Sequence, residues 1–277
     1  MNLADKNFKN LCKEILENGY YTKGEKVRPK YADGTPSHTF YINQVFEKYD
    51  LSKGEFPILT IRPIPWKSSI KEILWIYQDQ SNELSLLKEK YNIHWWDDWN
   101  VGDGTIGQRY GATVKKHDLI NKLLNNLKDA PLGRRHIINL YQEDDLESTP
   151  GLYPCAMETQ WSVRDKYLDM TLIQRSSDLP VANSINKVQY VALQMMVARH
   201  VGLEPGTFCH YVNNAHIYDR HLTQIEELLS REGQTDAENI RLILNPEKTN
   251  FYDFTIDDFT LENYKPQKPN LKFELAI

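Results

Sequence analysis

The cysteine at position 155 is the clearest candidate nucleophile in the sequence. Cys155 follows Pro154 in "TPGLYPCAMETQW", at the entrance to a predicted strand. A thiol attacks only as the thiolate, which forms near neutral pH when positive charge lies close by. Arg175, in "IQRSSDLP", follows by about one predicted hairpin, so its guanidinium is the obvious partner. The alternative is a buried structural thiol, which is the commoner role of a lone cysteine.

Further residues in the same region could bind a phosphate group. Arg175 and Ser176 would offer a guanidinium fork and a hydroxyl from one strand end. "GRRHI" adds Arg134 and Arg135, although adjacent arginines before a strand are more often a solvated turn. The segment 21–36 holds four more basic residues, and its Gly and Pro content predicts a surface loop that could touch a ligand.

A sugar hydroxyl could be held by His216 and Tyr218 in "VNNAHIYDRH". The two residues are two positions apart, so in an extended segment they lie on one face. His210 and His221 are close in sequence, which raises the alternative of a metal site. Their spacing matches neither HExxH nor a Cys/His zinc pattern, so we expect no metal.

Length and composition favour a single domain over residues 1–277. A chain of 277 residues with no linker-like stretch can enclose one large core. The N-terminus is too charged for a signal peptide and no apolar run is long enough to span a membrane, so we expect a cytoplasmic protein without membrane contacts. The formal net charge of −5 disfavours broad nucleic-acid binding, and three widely spaced cysteines without CxxC argue against a disulfide framework.

Helical and strand patterns alternate along the chain. The spacing of apolar residues predicts a helix that ends at Asn18-Gly19, a helix in "SSIKEILWIYQDQSN" capped by Ser68 or Ser69, one in "DLINKLLNNLKDAP" and one in "NKVQYVALQMMVARHVG". Strands are predicted in "HTFYINQVF", "FPILTIRPI", "RHIINLY", "METQWSV" and "YLDMTLIQR". This mixture predicts an α/β or α+β domain with a large mixed β-sheet flanked by helices.

In their order and wording, the motifs resemble the thymidylate synthase family from near the N-terminus to the last residue. The matching segments are "EILW", "IHWWDDW", "IGQRYG", "RR", "LYPC", "QRSSD", "INKVQY", "HIY" and "FELAI". The resemblance implies a homodimer whose mixed sheets pack back to back. It also implies reductive methylation of dUMP to dTMP, with methylenetetrahydrofolate as one-carbon and hydride donor.

Catalytic roles follow from the same resemblance. Cys155 would attack carbon six of the uracil ring, which turns carbon five into a nucleophile that captures the one-carbon unit. Glu72 would organise water for proton transfers, a role that suits a carboxylate partly removed from solvent. Tyr110 would help to shape the cavity, together with Trp96 and Trp99.

The nucleotide-binding set implied by the resemblance is larger. Within the subunit it comprises Arg28, Gln174, Arg175, Ser176, Asp178, Asn186, His216 and Tyr218. Arg134 and Arg135 would bind the phosphate in the active site of the other subunit. Asn186 would select the base, because its amide offers a donor and an acceptor that match the ring N–H and the carbonyl of uracil, whereas an aspartate would suit cytosine.

The folate would contact five positions, namely Trp96, Leu152, Asp178, Ala182 and Ile277. Departures from the usual family residues lie mostly around this part of the site. They are Ala156 in place of His, Ala182 in place of Gly, Ile185 in place of Phe, and Asn213-Asn214 in place of Gly-Asp. The loss of the Phe ring removes an aromatic contact of about 1 kcal/mol.

Two other functions remain open at this point. A dUMP or dCMP hydroxymethylase of the same superfamily would end the reaction with water instead of hydride. A non-catalytic relative would only bind a nucleotide or RNA. The joint presence of Cys155, Glu72, Arg175, Asn186 and Tyr218 favours an enzyme over the non-catalytic relative.

Overall fold

The N-terminal helix ends where the sequence pattern predicts. In the computed structural model, which describes residues 1–277, α1 spans Leu3–Asn18 and Asn2 caps it by accepting a hydrogen bond from the backbone N–H of Asp5. The backbone N–H of Gly19 donates to the carbonyl of Ile15 at 2.9 Å. A Cβ at position 19 would lie only 2.2 Å from that carbonyl oxygen, so the helix end requires glycine.

Seven further helices and nine strands complete the chain. The helices are α2 (Trp66–Tyr77), α3 (Leu84–Tyr91), α4 (Gly111–Lys116), α5 (Leu119–Asp129), α6 (Glu143–Ser148), α7 (Ser184–His200) and α8 (Leu222–Ser230). The strands are β1 (Tyr20–Tyr21), β2 (Thr39–Asp50), β3 (Ile137–Asn139), β4 (Ala156–Arg164), β5 (Tyr167–Gln174), β6 (Ser177–Asp178), β7 (Glu204–Tyr218), β8 (Arg241–Leu244) and β9 (Phe259–Glu262). The predicted mixture of helices and strands is confirmed.

Seven of the strands form one mixed sheet. Its order is β1-β2-β7-β5-β4-β3, with β6 beside the end of β7. Strands β5 and β7 are parallel and are connected through α7, which packs against both, while the β4–β5 hairpin is antiparallel. Alternate residues of β5 are buried, so one face of the sheet is covered and the other is open. A single hydrophobic cluster of 57 residues runs from Ala4 to Phe259.

The segment 56–64 is not a strand, so that prediction is wrong. Its backbone groups bond to side chains and loops instead of a neighbouring strand: the N–H groups of Thr60 and Ile61 both donate to the Asp5 carboxylate, at 2.7 and 3.3 Å. Pro57 and Pro63 have no N–H to offer a strand ladder. The alternation of apolar residues here reflects burial of an irregular segment.

The predicted cap of α2 is also wrong. The helix begins at Trp66, its N-cap is Pro65, and no side chain caps it. Ser69 lies inside the first turn, where its hydroxyl donates to the carbonyl of Pro65 at 3.0 Å. The apolar residues whose spacing predicts this helix form its buried face, namely Ile70, Ile73, Leu74 and Tyr77.

Candidate active site

The β4–β5 hairpin brings Cys155 and Arg175 together. Cys155 immediately precedes β4 and Arg175 immediately follows β5, and the backbone N–H of Arg175 donates to the carbonyl of Cys155 at 3.0 Å. The Arg175 guanidinium donates to the carbonyls of Tyr153 and Pro154 at 2.8 and 3.0 Å, and its Nη2 lies 3.5 Å from the Cys155 Sγ. The guanidinium is therefore held against the thiol by the loop that precedes it.

The protonation state of Cys155 depends on two opposing effects. Burial raises the pKa of the thiol, while the positive charges of Arg175 and Arg28 lower it, and the net shift within one subunit is upward. Burial of a thiol disfavours the thiolate unless further positive charge is supplied. The charges of Arg175 and Arg28 therefore do not outweigh the effect of burial on the thiol pKa.

Glu72 is a buried carboxylate on α2, 7% exposed. The indole N–H of Trp95 donates to its Oε2 at 2.6 Å. Burial raises the pKa of Glu72 to about 7, although hydrogen-bond donors around it oppose the shift. This value places the group where it can both accept and release a proton near neutral pH. Trp95 was not predicted from the sequence, since nothing in "HWWDDW" distinguishes which tryptophan faces the carboxylate.

Aromatic rings form one wall of the site. The ring of Trp96 packs edge-on against Tyr110 and Trp99, with centroid distances of 5.3 and 5.6 Å. The Tyr110 hydroxyl accepts a hydrogen bond from the backbone N–H of Cys155 at 3.2 Å. Tyr110 has a φ of 47°, a conformation that L residues rarely adopt, and such strain is concentrated at functional sites. At Gly111 a Cβ would lie 2.1 Å from the carbonyl oxygen of Ser81, so this turn needs glycine.

The amide of Asn186 lies in the first turn of α7 beside Gln174. Gln174 Nε2 donates to Asn186 Oδ1 at 3.1 Å, and Asn186 Nδ2 donates to Gln189 Oε1 at 2.8 Å. Gln174 is only 1% exposed, whereas Asn186 is half-buried. Gln174 thus lies behind Asn186 in the protein interior, and Asn186 is the more accessible of the two amides.

His216 and Tyr218 lie at the end of β7, with ring centroids 5.2 Å apart. Burial lowers the pKa of His216 to about 4, so its imidazole is neutral, and its Nδ1 lies 3.0 Å from Asn214 Oδ1. If Nδ1 carries the proton and donates to Asn214, Nε2 is left as an acceptor for a hydroxyl group. Burial raises the pKa of Tyr218 to about 12, so its phenol remains a donor.

Asp178 pairs with His216 across β6 and β7. Burial raises the pKa of its carboxyl to about 7, against the lowering effect of the Arg62 charge. The Arg62 guanidinium is nearly buried, donates to the carbonyl of Pro180 and lies 4.9 Å from the centroid of the Phe273 ring. Arg62 was missed in the sequence because it lies in the segment mistaken for a strand.

Other residues predicted for the site are partly buried or lie at the chain end. Ser176, Leu152 and Ala182 are half-buried, as is Ile185. Ile277 is 45% exposed, and its backbone exchanges hydrogen bonds with Lys30 at 2.8 and 2.9 Å. The C-terminal residue is therefore attached to the loop that also contains Arg28.

Arg134 and Arg135 are not brought to the Cys155 of their own chain. The two arginines come just before His136 and β3. The carbonyl of His136 accepts a hydrogen bond from the backbone N–H of Trp161 on β4, and Trp161 is six residues along the strand from Cys155. At about 3.3 Å per strand residue, that separation is roughly 20 Å. Both arginines are exposed and make neither a hydrogen bond to a side chain nor an ion pair within the chain.

Two other structural features bear on function. No group of three or more His, Cys, Asp and Glu side chains is arranged to hold a metal ion. None of the helices combines the length and the apolar character that a bilayer crossing requires.

Known proteins resemble the chain over its whole length. The family model described as Thymidylate synthase matches residues 6–277. Thymidylate synthases of Streptococcus sanguinis (strain SK36) and Lactococcus lactis subsp. lactis (strain IL1403) are 56% and 54% identical over 283 residues, with 100% of each chain covered. The solved structure of thermostable thymidylate synthase A from Bacillus subtilis matches with a TM-score of 0.91 at 38% identity, and the match covers 99% of each chain. The chain therefore belongs to the thymidylate synthase family and is a methyltransferase.

Proposed function

We propose that the protein catalyses the reductive methylation of dUMP to dTMP, with Cys155 as the nucleophile. The observation that carries the proposal is the Cys155 thiol held 3.5 Å from the Arg175 guanidinium. A thiol, a fixed cation, a base-reading amide and a carboxyl near its pKa are the groups that this reaction needs. We also propose that residues 1–277 form one catalytic domain.

Covalent activation of the pyrimidine begins with the ionised sulfur. The Cys155 thiolate forms a bond to carbon six, and the electrons of the C5–C6 double bond move towards carbon five and the carbonyl oxygen at carbon four. The enolate-like carbon five is then the nucleophile. Methylenetetrahydrofolate supplies the one-carbon unit and the hydride. Removal of the proton on carbon five breaks the bond between the one-carbon unit and the folate nitrogen, which leaves tetrahydrofolate and a methylene group double-bonded to carbon five. Hydride transfer from tetrahydrofolate to this methylene forms the methyl group, the C5–C6 double bond re-forms, the sulfur leaves as thiolate, and dihydrofolate is the second product.

Glu72 is the proposed proton carrier of the site. With a pKa of about 7, its carboxyl exists in both protonation states near neutral pH, so it can relay protons through water. Its burial also keeps the relay away from bulk solvent. Tyr110 is proposed to support the nucleophile, because its hydroxyl accepts the backbone N–H of Cys155.

Nucleotide recognition is proposed to use separate groups for base, sugar and phosphate. Asn186 reads the uracil edge, and His216 with Tyr218 holds the deoxyribose hydroxyl. The phosphate binds Arg175 and Ser176, with Arg28 from the adjacent loop. The effect of Arg28 on the pKa of both Cys155 and Tyr218 supports its position near the site.

The folate is proposed to lie against the aromatic wall. Trp96, Leu152 and Ala182 contact it, Asp178 binds the pterin ring, and Ile277 closes the site from the C-terminus. Ala182 and Ile185 replace the usual glycine and phenylalanine, and the loss of the phenylalanine ring leaves the folate with one aromatic contact fewer. We also propose a cytoplasmic location, because both substrates are soluble metabolites.

A homodimer is proposed to complete the phosphate site. Arg134 and Arg135 are exposed and lie roughly 20 Å along the strand from their own Cys155, so only another chain can bring them to a thiol. The open face of the sheet carries an apolar row, with Phe46 60% exposed beside Tyr211 and Ile173 on the next two strands. Burial of this row between two copies would remove apolar surface from water.

The direct test is incubation of the purified protein with dUMP and methylenetetrahydrofolate while dihydrofolate absorbance is followed. We expect dihydrofolate and dTMP in equal amounts. Formation of 5-hydroxymethyl-dUMP without dihydrofolate would instead establish the hydroxymethylase. If dUMP binds but neither product forms, the non-catalytic alternative is established.

Replacement of the nucleophile tests the covalent step. Cys155→Ala should abolish turnover and leave dUMP binding largely intact, because the alanine removes only the attacking sulfur. Cys209→Ala is the matched control, since Cys209 lies on β7 outside the site and should be dispensable. Unchanged turnover in Cys155→Ala would refute the role of this residue.

A further inference from the structure

A pair of opposite charges is buried behind the Asn186 amide. Lys187, on α7, is 1% exposed and its Nζ donates to Glu47 Oε2 on β2 at 2.7 Å. The other Glu47 oxygen accepts a hydrogen bond from the Tyr49 hydroxyl at 2.8 Å. Replacement of such a pair by apolar residues of similar volume is often neutral or stabilising, so stability alone does not account for it. Neither Glu47 nor Lys187 has a part in the proposed mechanism.

A continuous chain of polar contacts leads from this pair to Asn186. His210 is fully buried, with its Nδ1 3.6 Å from Glu47 Oε2 and its Nε2 2.5 Å from Gln174 Oε1. Gln174 Nε2 then donates to Asn186 Oδ1 at 3.1 Å. The buried pair is thus connected to the base-reading amide through one imidazole and one carboxamide.

The position of the proton on His210 decides which groups donate and which accept in the hydrogen bonds from His210 to Asn186. Burial lowers the pKa of His210, so the ring is neutral and only one nitrogen carries a hydrogen. Lys187 and Tyr49 already donate to the two oxygens of Glu47, so this carboxylate does not need the imidazole proton. Gln174 Oε1 can only accept a hydrogen bond and lies 2.5 Å from Nε2, so the contact requires the proton on Nε2, which donates it to Gln174. A proton on Nδ1 would instead face Glu47 and require the carboxamide of Gln174 to turn over.

The donor and acceptor pattern of these hydrogen bonds determines which base Asn186 can bind. With Oδ1 accepting from Gln174 and Nδ2 donating to Gln189, Asn186 keeps one lone pair and one N–H for a ligand. Uracil offers a ring N–H and a carbonyl at the corresponding edge, whereas cytosine offers a ring nitrogen acceptor and an amino group. An interchange of the Asn186 oxygen and nitrogen would therefore exchange the preferred base.

We propose that His210, which lies beside the buried Glu47–Lys187 pair, is a positioning residue that fixes the Asn186 amide through Gln174 and so favours a uracil over a cytosine nucleotide. The inference rests on the proposed role of Asn186 in reading the base. It concerns His210, which is fully buried behind the proposed binding surface. Its signature is a change in base preference and not a general loss of activity.

The test compares the binding of dUMP and dCMP to full-length variants by calorimetry. His210→Phe keeps an aromatic ring and removes the donor, and we expect the ratio of the two Kd values to fall about tenfold, as for one misaligned hydrogen bond. In His210→Gln the side-chain Nε2 can occupy the place of the imidazole Nε2, so most of the preference should return. Lys248→Met is the control, since it removes the Lys248–Asp258 ion pair, also 2.7 Å long, outside the site. This control should leave the ratio unchanged.

The outcomes below decide whether His210 positions the Asn186 amide. An unchanged Kd ratio in a folded His210→Phe variant overturns the inference, as does an equal loss of affinity for both nucleotides. If His210→Phe does not fold, Gln174→Met interrupts the same chain one residue later and must lower the ratio. Asn186→Asp separates the two hypotheses: if it does not shift preference towards dCMP, the proposed base-reading role fails, whereas if it does and His210→Phe has no effect, only the present inference fails.

Discussion

The indole N–H of Trp95 donates to Glu72 Oε2 at 2.6 Å, and this contact is one of the hydrogen bonds that oppose the effect of burial on the carboxylate. A hydrogen bond to the ionised form opposes the effect of burial, which raises the pKa of Glu72 to about 7. The two residues are 23 positions apart and belong to different segments. Their relationship leads to a prediction about pH dependence.

Trp95→Phe should move the pH dependence of turnover upwards. Loss of the indole donor leaves the Glu72 carboxylate less stabilised, so its pKa rises above about 7 and the limb of the kcat profile that reports it shifts by about one pH unit. Trp161→Phe is the matched control, because it removes an indole hydrogen bond of 2.8 Å to Thr159 away from the site. A profile unchanged from the wild type would contradict the assignment of the limb to Glu72.

Glu72→Gln should lower turnover and raise stability at alkaline pH. The folded-state pKa of about 7 lies above the ordinary value of 4.5, so the folded protein holds the proton more tightly than the unfolded chain. The contribution of Glu72 to the free energy of unfolding is therefore fully present below pH 4.5 and is lost as pH rises to about 7, by about 3 kcal/mol in total. The neutral glutamine should lack this loss, which urea unfolding at pH 5 and pH 8 would measure. A variant that loses as much stability as the wild type between these pH values would contradict the prediction.

Arg175→Gln should make the Cys155 thiol less reactive. Burial already raises the pKa of this thiol, and Arg175 is the largest opposing influence, so removal of its charge raises the pKa further. The rate of alkylation by iodoacetamide as a function of pH measures the thiolate fraction directly, and we expect it to fall about tenfold at pH 8. Arg164→Gln, at an exposed position on β4, should alkylate at the wild-type rate.

Mixed dimers should test the proposed donation of Arg134 and Arg135. Cys155→Ala and the double variant Arg134→Ala/Arg135→Ala should each be inactive alone, because every site lacks either the sulfur or the arginine pair. After the two are mixed and allowed to exchange subunits, half of the dimers are hybrids with one complete site, so about one quarter of wild-type activity should appear. Absence of recovery despite proven exchange would show that each subunit uses its own arginines.

Phe46→Lys should weaken the dimer without unfolding the chain. Phe46 is 60% exposed on the open face of the sheet, so the lysine is solvated in the monomer but would be buried between two copies. Sedimentation or light scattering should show a shift towards monomer, accompanied by loss of turnover at low protein concentration. Lys23→Ala, in the exposed loop 21–36, is the control and should remain in the wild-type assembly.

Local patterns predicted the elements whose signals lie close together in sequence. The end of α1 at Gly19 and the stripe of α2 depend on neighbours within a few residues. The proximity of Cys155 and Arg175 also followed from local information, because a hairpin places the start of one strand beside the end of the next. Of the residues named for the site from motif order, the fold brings Cys155, Arg175 and Tyr110 into contact, whereas Arg134 and Arg135 lie elsewhere in the chain.

Tertiary structure decided what depends on distant partners. The segment 56–64 has the alternation of a strand, but two of its backbone N–H groups donate to the carboxylate of Asp5, which precedes Thr60 by 55 residues. Likewise, the burial of Glu72 under Trp95 and the chain from Glu47 to Asn186 join residues whose spacing carries no common period. Residue types and local periodicity were thus legible in the sequence alone, whereas pKa values and the direction of buried amides depend on which distant groups the fold packs together, because desolvation and hydrogen bonding act through space.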